Sequence, residues 1–425
     1  SVNAQNDAYY STLNPTLASF ITDLKNRIRL NYVSVNYDNF GSTNVENFAS
    51  YSNGDGTKTV ICVYSGVNRT YTPPFVWNTV PSSNLNFSRE HTWCRSWMPE
   101  GAETKQNQDA DQHHIFPTQQ NNTNGVRSNH PLGIVVSQNS SYYEFKYGTN
   151  SSGKLVGEPR DQHKGDAARA ILYMCIRWDD VNGYRWDFDW LNNTKLPSLS
   201  EGPQDLNLLL LWHRQDPPDK WEVKRNDYIE NYVQHNRNPL VDHPEYVDYI
   251  NFNTMDKVVT NPVFATEPSN HATNLSGTAL SNTITLSWTA AVAGAQAPSG
   301  YLIQVYDEDS YYIPIDGSSL AENVSLDSFK VKYVSAGTTT YDFTGLTTGK
   351  TYYFSVYPYN GDGTSRNYKI DGSVARTSVL NGFLPLATEP ANHATAIATS
   401  NVTSSTITLT WTDAVGGQVP SGYLI

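Results

Sequence analysis

The sequence predicts an α+β domain followed by an all-β sandwich, and three observations lead to this prediction. Apolar residues recur at helical spacing in several segments of the first 262 residues, with short strand-like runs between them. After Pro262 charged residues become sparse, and β-branched residues alternate with turn residues at short intervals. The last part of the chain also repeats the segment before it, which is typical of an array of similar domains.

The first 262 residues are expected to form one helix-rich α+β domain. Apolar residues at helical spacing predict a helix that begins at Leu13-Asn-Pro and continues to Leu30, and a strand-like run predicts a strand around Cys62. Between residues 87 and 128 the pattern predicts a strand, a polar loop, a second strand and a helix, which together make a compact ββα unit. The predicted ranges are 87–93 and 111–116 for these strands, 117–128 for the helix, and 171–178, 206–211 and 221–233 for three later helices.

Three segments of the tail occur twice in the chain. Residues 265–273 return as 387–395, residues 283–288 as 406–411, and residues 298–303 as 420–425. The first copy resembles a fibronectin type III sandwich, with Trp288 as the buried tryptophan and Tyr352 in the position of the tyrosine corner. We therefore predict domains at 1–262, 263–385 and 386–425. The second copy stops in its third strand, so we expect it not to form a stable sandwich and the chain to be part of a longer protein.

The charge distribution limits where a nucleic acid could bind. The net charge is −12, but only six of the 29 Lys and Arg residues follow residue 263. Binding to phosphate requires a local basic surface rather than a basic protein, so any such contact is expected in the first domain. No run of eighteen or more apolar residues predicts a membrane span, and we expect a secreted monomer whose leader has already been removed.

Residues 89–133 contain the densest set of groups able to hold a metal, move a proton or bind phosphate. Arg-Glu-His at 89–91, Asp-Gln-His-His-Ile-Phe-Pro at 111–117 and Asn-Gly-Val-Arg-Ser-Asn at 124–129 fall close together. His91 suits a general base because the pKa of histidine lies near neutrality. Glu90 and an asparagine of the following helix could hold Mg²⁺, which prefers oxygen ligands. Arg127 and Arg95 are candidates for binding phosphate, because guanidinium groups match phosphate oxygens.

These motifs resemble the endonuclease I family of secreted and periplasmic nucleases, which use the His-Me finger or ββα-metal fold. Two later segments, 158–174 and 225–239, also resemble motifs of that family, so the resemblance covers about 240 residues with the motifs in the family's order. It implies that His91 is the general base, oriented by a backbone carbonyl near residues 111–113. It also implies that Glu90 and Asn124 are the Mg²⁺ ligands.

The resemblance further implies an enzyme that hydrolyses DNA, and often RNA, with little sequence preference and leaves a 5′-phosphate. Gln112 departs from the family pattern, which usually has leucine there, and this change is expected to alter packing beneath the site. The family's phosphate-binding arginine lies in a variable loop, so Lys105, Arg95 and Arg127 remain alternatives for that role.

Other interpretations of the same residues stay open at this stage. Asn121 or Asn129 could bind the metal instead of Asn124, because all three lie on the same predicted helix or directly after it. A zinc hydrolase could use His91, His113 and His114, although neighbouring residues on a strand point to opposite faces. The chain could also be a secreted adhesion or glycan-binding protein with an inactive nuclease-like domain. At most one disulfide could form among Cys62, Cys94 and Cys175.

Overall fold

A computed structural model describes residues 7–78, 85–99, 107–197, 201–258, 264–382 and 389–425, except residues 310, 311, 315, 318, 321 and 325–328. The described chain divides into two compact units, residues 1–381 and 382–425. The first unit contains a helix-rich α+β region followed by a β-sandwich, which confirms the predicted fold class. Lys105 lies outside the described residues.

One helix lies at the centre of the first unit, and other helices pack against it. The α-helical segments are α1 (Asp7–Tyr10), α2 (Phe20–Arg29), α3 (Gly125–Arg127), α4 (Lys164–Trp178), α5 (Phe188–Trp190), α6 (Leu206–Gln215), α7 (Lys220–Ile229) and α8 (Pro239–Asp242). The central helix is α4, and α2, α6 and α8 pack against it. Every residue of α4 after Lys164 is buried. Gly165 is required at its start, because a Cβ atom there would lie 1.8 Å from the backbone oxygen of Asp216. Among the described residues, no helix is long and apolar enough to cross a bilayer.

Small antiparallel sheets surround this helical core. In the α+β region the strands are β1 (Ser50–Ser52), β2 (Lys58–Ile61), β3 (Asn68–Tyr71), β4 (Phe87–His91), β5 (Ile115–Gln119), β6 (Ser137–Tyr142), β7 (Phe145–Thr149), β8 (Leu155–Glu158), β9 (Ile250–Asn251) and β10 (Asp256–Lys257). They pair in sequence order as β1-β2-β3, β4-β5, β6-β7-β8 and β9-β10. All three cysteines of the chain are free and buried, so no disulfide links these elements.

The predicted ββα unit is present, but its second strand and its helix begin later than predicted. Strand β5 starts at Ile115, because the Asp111 carboxylate accepts the backbone N–H of His113 and caps a 3₁₀ turn over Gln112–His114. Pro117 lies inside β5, opposite Arg89, rather than at the start of a helix. The helical turn runs from Gln120 to Arg127 instead.

A buried carboxylate fixes this unit to the central helix. Asp111 accepts hydrogen bonds from the Tyr173 hydroxyl (2.8 Å) and the Trp178 indole (3.2 Å), both on α4. Its other oxygen accepts from the Gln234 side chain at 2.7 Å. Because the buried donors all converge on one side chain, the start of β5 has little freedom to move relative to α4.

The sandwich has the features expected of a type III domain. Its strands are β11 (Thr273–Leu280), β12 (Thr283–Thr289), β13 (Gly300–Tyr306), β14 (Phe329–Ser335), β15 (Thr340–Phe343), β16 (Thr351–Asn360), β17 (Asn367–Tyr368) and β18 (Ala375–Leu380). One sheet has the order β11-β12-β15, and the other has β14-β13-β16-β17 with β18 also paired to β16. Trp288 is buried between the sheets, and the Tyr352 hydroxyl accepts the backbone N–H of Thr347 at 2.8 Å, as in a tyrosine corner.

The second unit consists of an antiparallel hairpin with mostly exposed side chains. Its strands are β19 (Thr395–Ser400) and β20 (Thr408–Thr412). The domain boundaries at 262 and 385, and the instability expected of this last copy alone, stay predictions.

We predict that Asp111→Asn lowers the free energy of unfolding by about 2–4 kcal/mol. An amide has only one acceptor oxygen, whereas the hydrogen-bond donors around Asp111 contact both carboxylate oxygens. Urea denaturation followed by tryptophan fluorescence would measure the change. The exposed Asp256→Asn variant serves as the control and should change the free energy by less than about 0.5 kcal/mol. Equal stability of the two variants would contradict the role given to Asp111.

Candidate functional site

The end of β4 opens into a polar cavity of about 350 Å³. Glu90, His91 and Asn124 line it, with Arg89 and Arg95 also at its wall. The antiparallel pairing of β4 with β5 places His91 opposite Ile115, and the turn after β5 returns Asn124 to Glu90. The structure therefore brings together the motifs at 89–91 and 124–129 around one space.

Glu90 is a buried carboxylate whose oxygens are both engaged. It is 2% exposed, and its Oε1 atom accepts from the Tyr64 hydroxyl at 2.9 Å and from the Arg127 guanidinium. Its Oε2 atom accepts from the Asn124 amide. Burial raises the pKa of Glu90, and the charge of Arg127 is the largest influence in the opposite direction. The three donors fix the orientation of the carboxylate at the cavity.

Asn124 is the asparagine whose side chain contacts Glu90. Its Nδ2 atom donates to Glu90 Oε2 at 2.5 Å and to the Arg89 carbonyl at 3.3 Å. Asn129 also lines the cavity, whereas Asn121 is exposed on the preceding turn. A carboxylate and a carboxamide side by side are a hard oxygen donor set, and rotation of the amide would present its oxygen to a cation. The residues present therefore fit Mg²⁺ with water as the remaining ligands.

His91 is held in a defined orientation and a defined tautomer. Its Nε2 atom lies 2.8 Å from the Asp109 carbonyl oxygen, which can only accept, so Nε2 carries the proton and Nδ1 the lone pair. Burial lowers the pKa of His91 to about 3, so the imidazole is neutral at neutral pH. The orienting carbonyl was expected near residues 111–113. It belongs instead to Asp109, in the turn before the 3₁₀ segment.

The position of Arg127 differs from the phosphate-binding role expected for it. Its side chain is 0% exposed and does not line the cavity. Beyond Glu90, the guanidinium donates to the carbonyls of His91 (2.9 Å), Thr92 (2.9 Å) and His130 (3.0 Å). With its donors committed in this way, Arg127 holds the end of β4 and cannot reach a phosphate in the cavity.

Arg95 and Arg89 are the cationic side chains that line the cavity. The Arg95 side chain is 30% exposed and pairs with Asp109 at 2.7 Å, so it also steadies the residue that orients His91. Arg89 donates to the Asp38 carbonyl at 3.2 Å. Arg89 is part of the 89–91 motif, but the sequence motif did not predict a role for it. Strand alternation could have indicated it, because residues 89 and 91 share a face of β4.

The zinc alternative does not fit this geometry. His113 and His114 lie in a 3₁₀ turn rather than on a strand, and their Nε2 atoms lie 3.0 Å from the carbonyls of Asn236 and Gln108 respectively. Among the described residues, no group of three or more His, Cys, Asp or Glu side chains could share a metal ion. Glu90 with Asn124 is not a group of this kind, because Asn is not one of these residue types.

Comparison with known proteins gives two family matches and several relatives. The model of the Endonuclease I family matches residues 16–245, and that of the fibronectin type III domain matches residues 268–370. Both resemblances seen in the motifs are confirmed by these matches.

An extracellular ribonuclease of Bacillus subtilis is 36% identical over 180 residues, which cover 41% of this chain and 59% of that protein. One of Bacillus amyloliquefaciens is 36% identical over 39% of this chain and 54% of its own length. A periplasmic deoxyribonuclease of Aeromonas hydrophila is 26% identical over 32% of this chain and 48% of its own length. The chain thus spans about half the length of these relatives.

We predict that Arg127→Met lowers the free energy of unfolding by about 3–5 kcal/mol, because it leaves the buried Glu90 carboxylate without its counterion. Chemical denaturation would measure the loss. Arg214→Met is the matched control, since it removes a partly exposed ion pair with Asp248 and should cost less than about 1 kcal/mol. A double variant with Glu90→Gln should recover part of the loss; additive losses would argue against direct coupling.

Proposed function

The chain belongs to the endonuclease I family, and from this membership we propose that it is a secreted, Mg²⁺-dependent nuclease that hydrolyses phosphodiester bonds in DNA and RNA. One observation carries the proposal. A neutral, oriented histidine, a fixed carboxylate with an asparagine amide, and two arginines all line the same cavity. These are the groups that phosphodiester hydrolysis requires: a base for water, ligands for a divalent cation, and positive charge beside the phosphate.

His91 is the proposed general base. Its Nδ1 atom carries the lone pair and would take a proton from the water that attacks phosphorus, while the Nε2 proton stays bonded to the Asp109 carbonyl. Burial, which lowers the pKa of His91, keeps the imidazole unprotonated at neutral pH and its lone pair free for the proton. The same shift makes His91 a weaker base than a histidine with a pKa near neutrality. Stacking on Tyr37 and the carbonyl contact limit rotation of the ring.

Glu90 and Asn124 are the proposed Mg²⁺ ligands. When bound, a divalent cation supplies charge stabilisation for the oxygens of the reacting phosphate. The contribution of the protein is to hold Glu90 with Arg127 and Tyr64, so that the carboxylate keeps its orientation with or without substrate. Asn124 is favoured among the three candidate asparagines because it donates to the Glu90 carboxylate and lines the cavity.

Arg95 and Arg89 are the proposed phosphate-binding residues. Both line the cavity, and neither is buried as completely as Arg127. Contacts to phosphate carry no base identity, which agrees with a nuclease of low sequence preference. The names of the relatives include a ribonuclease and a deoxyribonuclease, and extracellular and periplasmic locations. We therefore propose that both nucleic acids are substrates and that the protein acts outside the cytoplasm.

We predict that His91→Ala reduces kcat for plasmid nicking and for RNA cleavage by about 100-fold or more, because the attacking water loses its base. Its Kd for an oligonucleotide, measured in EDTA, should stay within about twofold, since His91 contributes no charge to binding. The exposed His393→Ala variant in the tail is the control. Undiminished cleavage by His91→Ala would remove the proposed mechanism, and absence of cleavage by the wild type with Mg²⁺ would favour an inactive nuclease-like protein.

We predict that EDTA abolishes cleavage and that added Mg²⁺ restores it. Asn124→Ala should raise the Mg²⁺ concentration for half-maximal activity by at least about 10-fold, because one oxygen ligand is lost. The matched variant Asn121→Ala should leave that concentration unchanged. Metal titration of activity and calorimetric titration of Mg²⁺ into each variant provide the two measurements. A shift caused by Asn121→Ala alone would transfer the ligand role to Asn121.

A further inference from the structure

Tyr37 lies outside every motif that indicated the site, yet it forms one wall of the cavity. It begins a 3₁₀ turn over Tyr37–Asn39, which the Asn36 side chain caps by accepting the backbone N–H of Asp38 at 2.8 Å. The residue is half-buried, with one part of its surface toward the site and another toward solvent. The capped turn therefore fixes the backbone of Tyr37 and places its ring at the wall of the cavity.

The Tyr37 ring contacts three groups of the site. It stacks on the His91 ring with centroids 5.5 Å apart and an angle of 19° between the planes. The guanidinium carbon of Arg89 lies 4.6 Å from the ring centroid, and that of Arg95 lies 5.3 Å away. One uncharged ring thus touches the candidate base and both candidate phosphate-binding residues.

The chemistry of these contacts gives the ring a specific task. Two guanidinium groups that share a cavity repel each other, whereas the electron-rich face of an aromatic ring attracts both. Burial raises the pKa of Tyr37, so its hydroxyl stays protonated at neutral pH. The hydroxyl is engaged by a hydrogen bond with Arg89, and the ring adds its own attraction for both guanidinium groups. Stacking with neutral His91 in turn restricts rotation of the imidazole about its bond to the backbone.

Hydrogen bonds link the segment after the Tyr37 turn to the 3₁₀ turn that precedes β5. The helical segment that follows, Gly41–Ala49, meets the Gln112 side chain, whose amide nitrogen donates to Thr43 Oγ1 at 2.8 Å. The Gln112 side-chain oxygen accepts from the Asn44 amide at 3.1 Å. Gln112 begins the 3₁₀ turn that precedes β5, directly after Asp111. Its hydrogen bonds therefore hold the segment that carries Tyr37 next to the start of β5.

We propose that Tyr37 is a positioning residue of this site, whose aromatic ring holds His91, Arg89 and Arg95 in their working positions against the cavity. This inference rests on the proposed function, since it assigns Tyr37 to the same reaction. Tyr37 acts through these three side chains and transfers no proton itself.

The test compares Tyr37→Phe, which keeps the ring, with Tyr37→Leu, which removes it. Tyr37→Phe should keep kcat and KM within about twofold of the wild type. Tyr37→Leu should lower kcat by about 10-fold or more and raise KM, because the base and both phosphate-binding residues lose their contact with the ring. The slope of log Kd against log salt for a labelled oligonucleotide in EDTA should fall by about one for each arginine that leaves the phosphate.

Tyr9→Leu is the matched control, because Tyr9 is a half-buried ring that carries Arg27 at 3.3 Å and does not line the cavity. Its kcat, KM and salt slope should equal those of the wild type. If Tyr37→Leu does not fold, judged by thermal denaturation, Tyr37→Met provides an unbranched replacement for the same measurements. Unchanged kinetics and salt slope in the ring-free variants would overturn the proposal, as would equal damage by Tyr37→Phe.

The outcome can be separated from that of the proposed function. If the wild type does not cleave nucleic acid with Mg²⁺, the proposed function fails while the oligonucleotide salt slopes in EDTA still test the hold of Tyr37 on the arginines. If the wild type cleaves and Tyr37→Leu behaves like it in every measurement, only the inference about Tyr37 fails.

Discussion

The ion pair between Glu90 and Arg127 is the interaction on which the rest of the site depends. Removing two charges from water costs several kcal/mol per ion, and this cost is offset only when hydrogen bonds satisfy the remaining atoms. Here Tyr64 and Asn124 donate the remaining hydrogen bonds to the Glu90 carboxylate, and backbone carbonyls accept those of the Arg127 guanidinium. Those carbonyls belong to the end of β4 and to the turn after α3. The ion pair that orients the Glu90 carboxylate therefore also fixes the backbone around the cavity.

The ion pair also bears on how an acidic protein could present the proposed phosphate-binding site. Arg127 is neutralised by Glu90 and buried, so it contributes little to the field in the cavity. Arg89 and Arg95 remain at the cavity wall, and a divalent cation on Glu90 would add positive charge beside them. The net charge of −12 describes the whole surface, whereas binding of phosphate depends on the few charges within about one Debye length of the cavity.

Residue type and spacing indicated Glu90, His91 and an asparagine of the following helix, because these are local properties of two strands and a turn. The choice of Asn124 among the asparagines came from the resemblance to the family. The sequence was not sufficient to separate Arg127 from Arg95. Both are arginines near the same motif, and their roles are decided by which distant carbonyls and carboxylates accept from them. The late start of β5 has a similar origin, because a capping carboxylate overrides a β-like pattern. The contact between Tyr37 and His91 joins segments 54 residues apart, which no local pattern encodes.

Gln112 shows how a departure from a family pattern can be accommodated. A buried amide in place of leucine costs stability unless both its donor and its acceptor are satisfied. Thr43 and Asn44 provide these partners, and both belong to the helical segment that follows the Tyr37 turn. The polar residue therefore replaces apolar packing with directional bonds between the finger and the wall of its cavity. These hydrogen bonds have a defined geometry, so they favour a fixed distance between Tyr37 and His91.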